Sequence, residues 1–193
     1  MTGVQTCALP IWDHFGKCAA PPAEHLICNG AIDNASGVAV LIETARRLAK
    51  GPQMDRDVYV LATTGEELGL LGAEAFAENP PIPLGQFVAA FNIDSVAIGP
   101  AGQPFAIVGH GLTKLDPQIA LVAKQQKKKL VQLDYTKAFV RRQDGWIFLQ
   151  HDLPAVMVSS SWSNQALVEH FMDSDYHRPS DVVKAGLELG RGR

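Results

Sequence analysis

The sequence predicts a single α/β domain built on a mixed, mostly parallel sheet with helices over both faces. Two patterns lead there. Apolar runs of strand length recur at residues 58–62, 87–94, 105–108 and 154–158, with stretches of helical periodicity between them. Strands that alternate with helices pack as a parallel or mixed sheet covered on both sides. The second pattern is acidic. Glu66 and Glu67 follow the run at 58–62, and Asp94 closes the run at 87–94. In an open α/β sheet, ligands bind beyond the carboxyl ends of the strands, where these side chains fall. A chain of 193 residues that is 47% hydrophobic suits one domain with a sizeable core.

Composition removes several functional classes. A net charge of -3 with 19% charged residues is not that of a nucleic-acid binder. The basic run Lys127-Lys128-Lys129 reads as a solvated helix face. No apolar run is long enough to span a bilayer, and three cysteines are too few for a disulfide-built scaffold. These features predict a soluble domain.

In order along the chain, residues 1–11 lack the basic start and apolar centre of a signal peptide. They resemble the in-frame translation of a sequencing-adapter oligonucleotide, so native sequence is expected to begin at Trp12, with everything upstream of it lost. The polar, Pro-containing segment 17–29 reads as a surface loop bracketed by Cys18 and Cys28, either disulfide-bonded or free. A turn-rich stretch at 30–37 leads into a helix whose apolar side carries Val38, Leu41, Ile42, Ala45 and Leu48, ending near Gly51-Pro52. Asp33 lies just ahead of that helix, a common place for a capping aspartate.

The run Val58-Tyr59-Val60-Leu61-Ala62 reads as a central strand buried on both faces. The Glu66-Glu67 pair after it has Leu68, Leu70 and Leu71 as neighbours, an apolar setting that is costly for idle charges. A short helix is predicted over 72–77 and a longer one over 115–129, with Leu115, Ile119, Val122 and Ala123 inward. Residues 144–150 read as a helix, 154–158 as a strand and 173–181 as a loop, with a further helix starting at Ser180.

Asp33, Glu66, Glu67, Asp94 and His177 thus sit at or just past the ends of predicted elements. Oxygen ligands with an imidazole suit a divalent cation, zinc especially. The motifs that carry them are Trp12-Asp13-His14-Phe15-Gly16, Asn29-Gly30-Ala31-Ile32-Asp33-Asn34-Ala35-Ser36-Gly37, Thr64-Gly65-Glu66-Glu67-Leu68-Gly69, Asn92-Ile93-Asp94 and Tyr176-His177-Arg178-Pro179-Ser180-Asp181. In this order and spacing the chain, from Trp12 to about Val183, resembles the co-catalytic zinc aminopeptidases, a group that includes glutamate carboxypeptidase II and glutaminyl cyclase.

The resemblance implies a three-layer zinc-peptidase domain over 12–193, incomplete at both ends. It also implies peptide substrates, with a secreted or periplasmic location. Asp33 would bridge two zinc ions roughly 3.5–4 Å apart. Glu67 and His177 would complete one shell and Asp94 would serve the other. Glu66 would be the general base, and Asp13 would orient a histidine ligand. The family pattern His-x-Asp-His puts that histidine at position 11, where this chain has Ile11. One good zinc site and one weak one are therefore expected. Arg142-Gln143-Asp144-Gly145 also departs from the usual Arg-Ser-Asp-His. Aminopeptidase activity is the leading implication, with a single-zinc glutaminyl cyclase or a silent binding module of the same fold as alternatives.

Overall fold

A computed structural model describes residues 5–184. The strands are β1 (Gln5–Leu9), β2 (Gly16–Lys17), β3 (Ile27–Cys28), β4 (Val58–Val60), β5 (Phe87–Asn92), β6 (Phe105–Val108), β7 (Leu130–Val131) and β8 (Ala155–Ser159). The helices are α1 (Gly37–Lys50), α2 (Leu71–Glu78), α3 (Asp116–Gln125), α4 (Gly145–Gln150) and α5 (Gln165–Ser174). Six strands form one sheet in the order β4-β1-β5-β8-β6-β7. Neighbours from β4 to β8 pair in parallel, β6 runs antiparallel to β8, and β7 is parallel to β6. The predicted α/β class and mostly parallel sheet are therefore correct.

Residues 5–9 lie between β4 and β5, pairing Thr6 with Val58 and Ala89, and Cys7 with Tyr59 and Ala90. Pro10 has no N–H to give, so the regular ladder lapses there. It resumes where Ile11 bridges Thr63 and Trp12 N–H donates to the Thr63 carbonyl at 3.2 Å. This pairing carries the chain straight from β1 into the Asp13-His14 segment.

The strand expected to be central, β4, is the edge strand among the described residues, and Val60 is 51% exposed. Leu68 and Leu71 are exposed as well, so of the three leucines around the Glu66-Glu67 pair only Leu70 is buried. Strand alternation puts two core clusters side by side on one face, since Ala155 and Met157 are two residues apart on β8. Below one face, α2 and α4 pack Ala73, Ala77, Ile147 and Phe148 against Cys7, Phe87, Ala90 and Ala155. A second cluster joins Ala106, Val108 and Met157 to Val140, Trp162 and Val168 of α5. Helix α5 was absent from the reading of the sequence.

The predicted inner side of α3, Leu115, Ile119, Val122 and Ala123, does face the sheet, but the helix has no buried residue and Val122 is 54% exposed. Ile119 and Val122 instead line an open apolar groove with Phe91, Phe105 and Val158 of the sheet. Residues 180–184 are not helical, and the rest of the helix expected from Ser180 lies outside the described residues. The loop expected at 17–29 contains the short antiparallel pair β2–β3, closed by a Cys18–Cys28 disulfide with Cα atoms 5.7 Å apart.

Phe148 is fully buried, edge-to-face with Phe76 at 5.9 Å between ring centroids. Phe148→Ala is expected to cost about 3–5 kcal/mol of unfolding free energy, the usual range for a buried phenylalanine. Urea denaturation followed by circular dichroism checks this, and a loss below about 1 kcal/mol would show that the α4–sheet contact is not part of the core.

Candidate metal centre

Because β4, β1, β5 and β8 run in parallel, their carboxyl ends open on one edge of the sheet. The segments leaving that edge carry His14 after β1, Glu66 and Glu67 after β4, and Asp94 after β5. Asp33 and His177 arrive from outside the sheet, Asp33 from the turn before α1 and His177 from the loop after α5.

Buried polar side chains fasten these segments together. The Asp181 carboxylate accepts from Ile32 N–H at 2.9 Å and Asp33 N–H at 3.1 Å, tying the His177 loop to the Asp33 turn. Asn34 donates to the Ile93 carbonyl at 2.9 Å and accepts from the Gly37 and Ser95 amides, tying the same turn to the end of β5. Asp13 accepts from the Thr64 hydroxyl and, at 3.1 Å, from Gly65 N–H. Its observed partners are thus groups of the Glu66-Glu67 turn rather than an imidazole. Asn34 and Asp181 were both inside quoted motifs, yet nothing in their type or spacing revealed these roles. Each was one more polar loop residue.

The fastening brings His14, Asp33 and His177 around Glu67. Glu67 lies between two imidazoles: its Oε1 is 2.9 Å from His14 Nδ1 and its Oε2 is 2.8 Å from His177 Nε2. His177 Nε2 is also 3.4 Å from Asp33 Oδ2. Ligand atoms of His14, Asp33 and Glu67 all lie within 4.8 Å of one another. His177 holds its place in a left-handed backbone conformation (φ 56°), with its ring stacked 3.6 Å from Tyr176 and edge-on to Phe15. Backbone strain of this sort is characteristic of functional sites.

The near approaches lack hydrogen-bond geometry. His14 Nδ1, Asp33 Oδ2, Glu67 Oε1 and His177 Nε2 are all buried without a hydrogen-bond partner. Buried polar atoms are rarely left so, and neighbouring unpartnered donor atoms are what a cation-binding shell needs. The donor set of two imidazoles and two carboxylates fits zinc.

Charge supports the same conclusion. Burial raises the Asp33 carboxyl above its ordinary range, against the pull of His177. Burial, then the neighbouring Asp94 and Glu67, push Glu66 up to about 10. Burial and Asp33 raise Asp94 well above the usual value. Glu67 is the exception: burial would raise it, but His14 and His177 together hold it at about 2. Burial lowers His177, and the opposing carboxylates Asp33 and Glu67 outweigh this to bring it to about 9. Without a cation, several carboxyls here keep their protons.

The other side of Glu66 has a different character. Ile11, Asn34, Glu66, Asn92, Asp94 and Asp144 enclose a small space, with Ile11 only 3% exposed. Burial raises Asp144 to about 6, although the Thr63 hydroxyl donates to it at 2.5 Å. No imidazole lines this space. Beyond Asp94, a cleft lined by Phe139, Arg142, Gln143, Met172 and Tyr176 leads outward.

Of the residues singled out from sequence, Asp33, Glu67 and His177 meet directly, Glu66 and Asp94 adjoin them, and Asp13 supports the turn. His14 was missed as a member of the cluster, although it is the second histidine of the quoted His-x-Asp-His pattern.

Residues 12–189 match the sequence profile of Peptidase family M28. No curated protein sequence matches the chain significantly. Among solved structures, the aminopeptidase from Aneurinibacillus sp. strain AM-1 superposes with a TM-score of 0.69 at 20% identity, covering 97% of this chain and 40% of that one. BSAP, a zinc aminopeptidase from Bacillus subtilis, gives 0.62 at 20% identity over 82% of this chain and 36% of its own. Porphyromonas gingivalis glutaminyl cyclase gives 0.64 at 18% identity over 97% and 69%. The chain therefore spans well under half the length of the two aminopeptidases, and at these identities the likeness is one of fold.

The charge pattern has a sign that experiment can read. Carboxyls raised on folding bind protons more tightly in the folded state, so stability falls as they ionise. The His177 contribution, complete below its ordinary value of 6.5, is likewise lost as pH rises through about 9. The metal-free protein is expected to melt at progressively lower temperature from about pH 5 to about pH 9. A fixed excess of zinc is expected to raise the melting temperature more at the alkaline end, since its ligands must be deprotonated. Calorimetry that showed the opposite slope, or no zinc effect, would contradict this account.

Proposed function

This chain belongs to peptidase family M28, and from that premise we propose that it is a zinc-dependent exopeptidase removing N-terminal residues from peptides. The observation that carries the reading is the unpartnered, buried donor group Asp33–Glu67–His177 with a third carboxyl group, Glu66, directly beside it. Asp33, Glu67 and His177 would hold one zinc ion. Asp33 and Asp94 would hold a second more weakly, because Ile11 stands where a histidine ligand is expected. Zinc, when bound, supplies Lewis acidity toward a carbonyl and lowers the pKa of a water to about 7.

The chain's own residues do the rest. Glu66 takes a proton from the attacking water and returns it to the departing amine, a role that needs a carboxylate next to the cation site but outside its shell. A cation nearby would offset the burial and the like charges that now keep Glu66 protonated. Asp13 fixes the Gly65 turn, and so the direction of Glu66, through the Thr64 hydroxyl and Gly65 N–H. The cleft lined by Phe139, Arg142, Met172 and Tyr176 receives the side chain of the residue removed, with Tyr176 joining cleft and centre.

Residues 1–11 are read as an adapter translation joined at Ile11. In support, Ile11 lies in one enclosure with Glu66 and Asp94, where an imidazole would serve the second ion. The Cys18–Cys28 disulfide supports an oxidising compartment, hence a secreted or periplasmic protein.

A second reading, glutaminyl cyclase chemistry, is favoured by one feature: Asp94 faces Ile11, so the chain suits one ion better than two. Incubating zinc-loaded protein with peptides beginning in leucine and in glutamine separates the readings. Released leucine supports the exopeptidase, pyroglutamate alone replaces it with the cyclase, and neither product points to a silent binding module. Ile11→His is expected to raise aminopeptidase turnover. In that background Glu66→Gln is expected to keep zinc but lose about 10²–10⁴ in kcat, since an amide cannot accept the proton. Full turnover in Glu66→Gln would remove Glu66 from the role of base.

A further inference from the structure

We propose that the Cys18–Cys28 disulfide is a redox-sensitive clasp on the metal centre: closed, it holds Phe15 against His177, and opened by reduction it loosens the grip on zinc. The proposal rests on the reading of this cluster as a zinc centre and concerns its regulation. It adds no ligand.

The disulfide is the main link in the hairpin that carries Phe15. The β2–β3 ladder pairs only Gly16 with Cys28 and Lys17 with Ile27. Beyond it, the Leu26 carbonyl accepts from the Cys18 and Ala19 amides at 3.0 and 3.3 Å. A two-stranded hairpin is marginal on its own in water. This one also lacks a core, since from Phe15 to Asn29 only Cys28 is buried. The covalent bridge therefore holds together two arms that packing does not.

Both arms run straight into the centre. Phe15 adjoins Gly16, the partner of Cys28, and its ring is edge-on to His177 at 4.6 Å and to His14 at 5.2 Å between centroids. Gly30, two residues after Cys28, lies against His14: a Cβ on it would come within 2.8 Å of His14 Cγ. The flanking segments have ties of their own, Asp33 to Asp181 and Asp13 to Gly65. Residues 14–16 depend on the hairpin instead. The His177 side chain is 30% exposed even with Phe15 beside it. Displacing Phe15 would admit water to that ligand, and the apolar shell around a metal site controls solvent access.

Cys18 is exposed and Cys28 is buried, so an incoming thiolate reaches the bridge at the Cys18 sulfur. A dithiol reductant attacks there, forms a mixed disulfide with Cys18 and releases the Cys28 thiolate, which takes a proton. The second thiolate of the reductant then displaces Cys18, which is protonated in turn. Two electrons and two protons thus pass to the cysteines, and the reductant leaves as its own disulfide. Reducing compartments keep such a clasp open and oxidising ones close it. On the secreted or periplasmic reading, the chain takes up zinc tightly only after export.

The test compares zinc affinities of whole chains by competition with a chelating dye. Cys18→Ser/Cys28→Ser serves as the open form, because serine supplies no thiolate ligand. It is expected to bind zinc about 10–100-fold more weakly than the oxidised chain, the loss typical of groups that support a ligand. Phe15→Ala with the disulfide intact is expected to lose a similar factor, and the triple variant no more, because both changes act through one contact. The oxidised chain, reduced with a water-soluble phosphine and alkylated, is expected to show the same weakening. Circular dichroism of the metal-free open form is expected to keep the native signal. Equal affinity in open and oxidised forms, fully additive losses in the triple variant, or global unfolding of the open form would each overturn the clasp. An oxidised chain that binds no zinc would refute the zinc reading itself. Tight binding indifferent to the disulfide would refute only the clasp.

Discussion

Carboxylates resist both burial and one another's company, yet Asp33, Glu66, Glu67, Asp94 and Asp144 share one recess at the carboxyl edge of the sheet. Much of the architecture around them follows from holding that arrangement. Two imidazoles, His14 and His177, flank Glu67 and offset part of the charge. The remainder is unmet: Glu66 and Asp94 ionise only with difficulty, and several donor atoms have no partner. A divalent cation removes both difficulties together, because it lowers the cost of ionisation and gives the orphaned atoms something to bind.

Such an arrangement needs rigid support, since each carboxylate comes from a different segment. The support consists of buried side-chain to backbone hydrogen bonds that span long stretches of chain. Asp181 reaches the Asp33 amide across 148 residues, and Asn34 bonds the end of β5 across 59. Both residues are almost fully buried. Side chains used in this way fix loop backbones as firmly as a sheet ladder would, and catalytic geometry tolerates little looseness. The loops of this edge are therefore part of the framework.

The recess is unequal in its two halves. Around Glu67 the donors are mixed, with nitrogen and oxygen atoms at ligand spacing and aromatic rings of Phe15 and Tyr176 enclosing His177. Around Asp94 the donors are oxygen alone, and the apolar Ile11 closes the space. Glu66 stands between them. Nitrogen donors thus stand on one side of Glu66 only.

The sequence by itself determined the fold class and singled out Asp33, Glu66, Glu67, Asp94 and His177, which the fold brings to one edge of the sheet. Apolar runs at β5, β6 and β8 are long enough to be read as strands, and Glu66, Glu67 and Asp94 follow strands directly, so local order already puts them at a sheet edge. Other features depended on partners far away in the chain. Whether Val58–Val60 was central or peripheral turned on the pairing of β1, which periodicity does not encode. The exposure of α3 turned on how far it stands from Phe91 and Val158. The roles of Asp181 and Asn34 exist only where a backbone amide from another segment comes within reach. His14 was visible as a letter in a motif but became a candidate ligand only when the β1–β4 pairing and Gly30 set its ring against Glu67. Residue type is a local property, whereas register, burial and convergence are settled by long-range packing, which is why only the tertiary structure decided them.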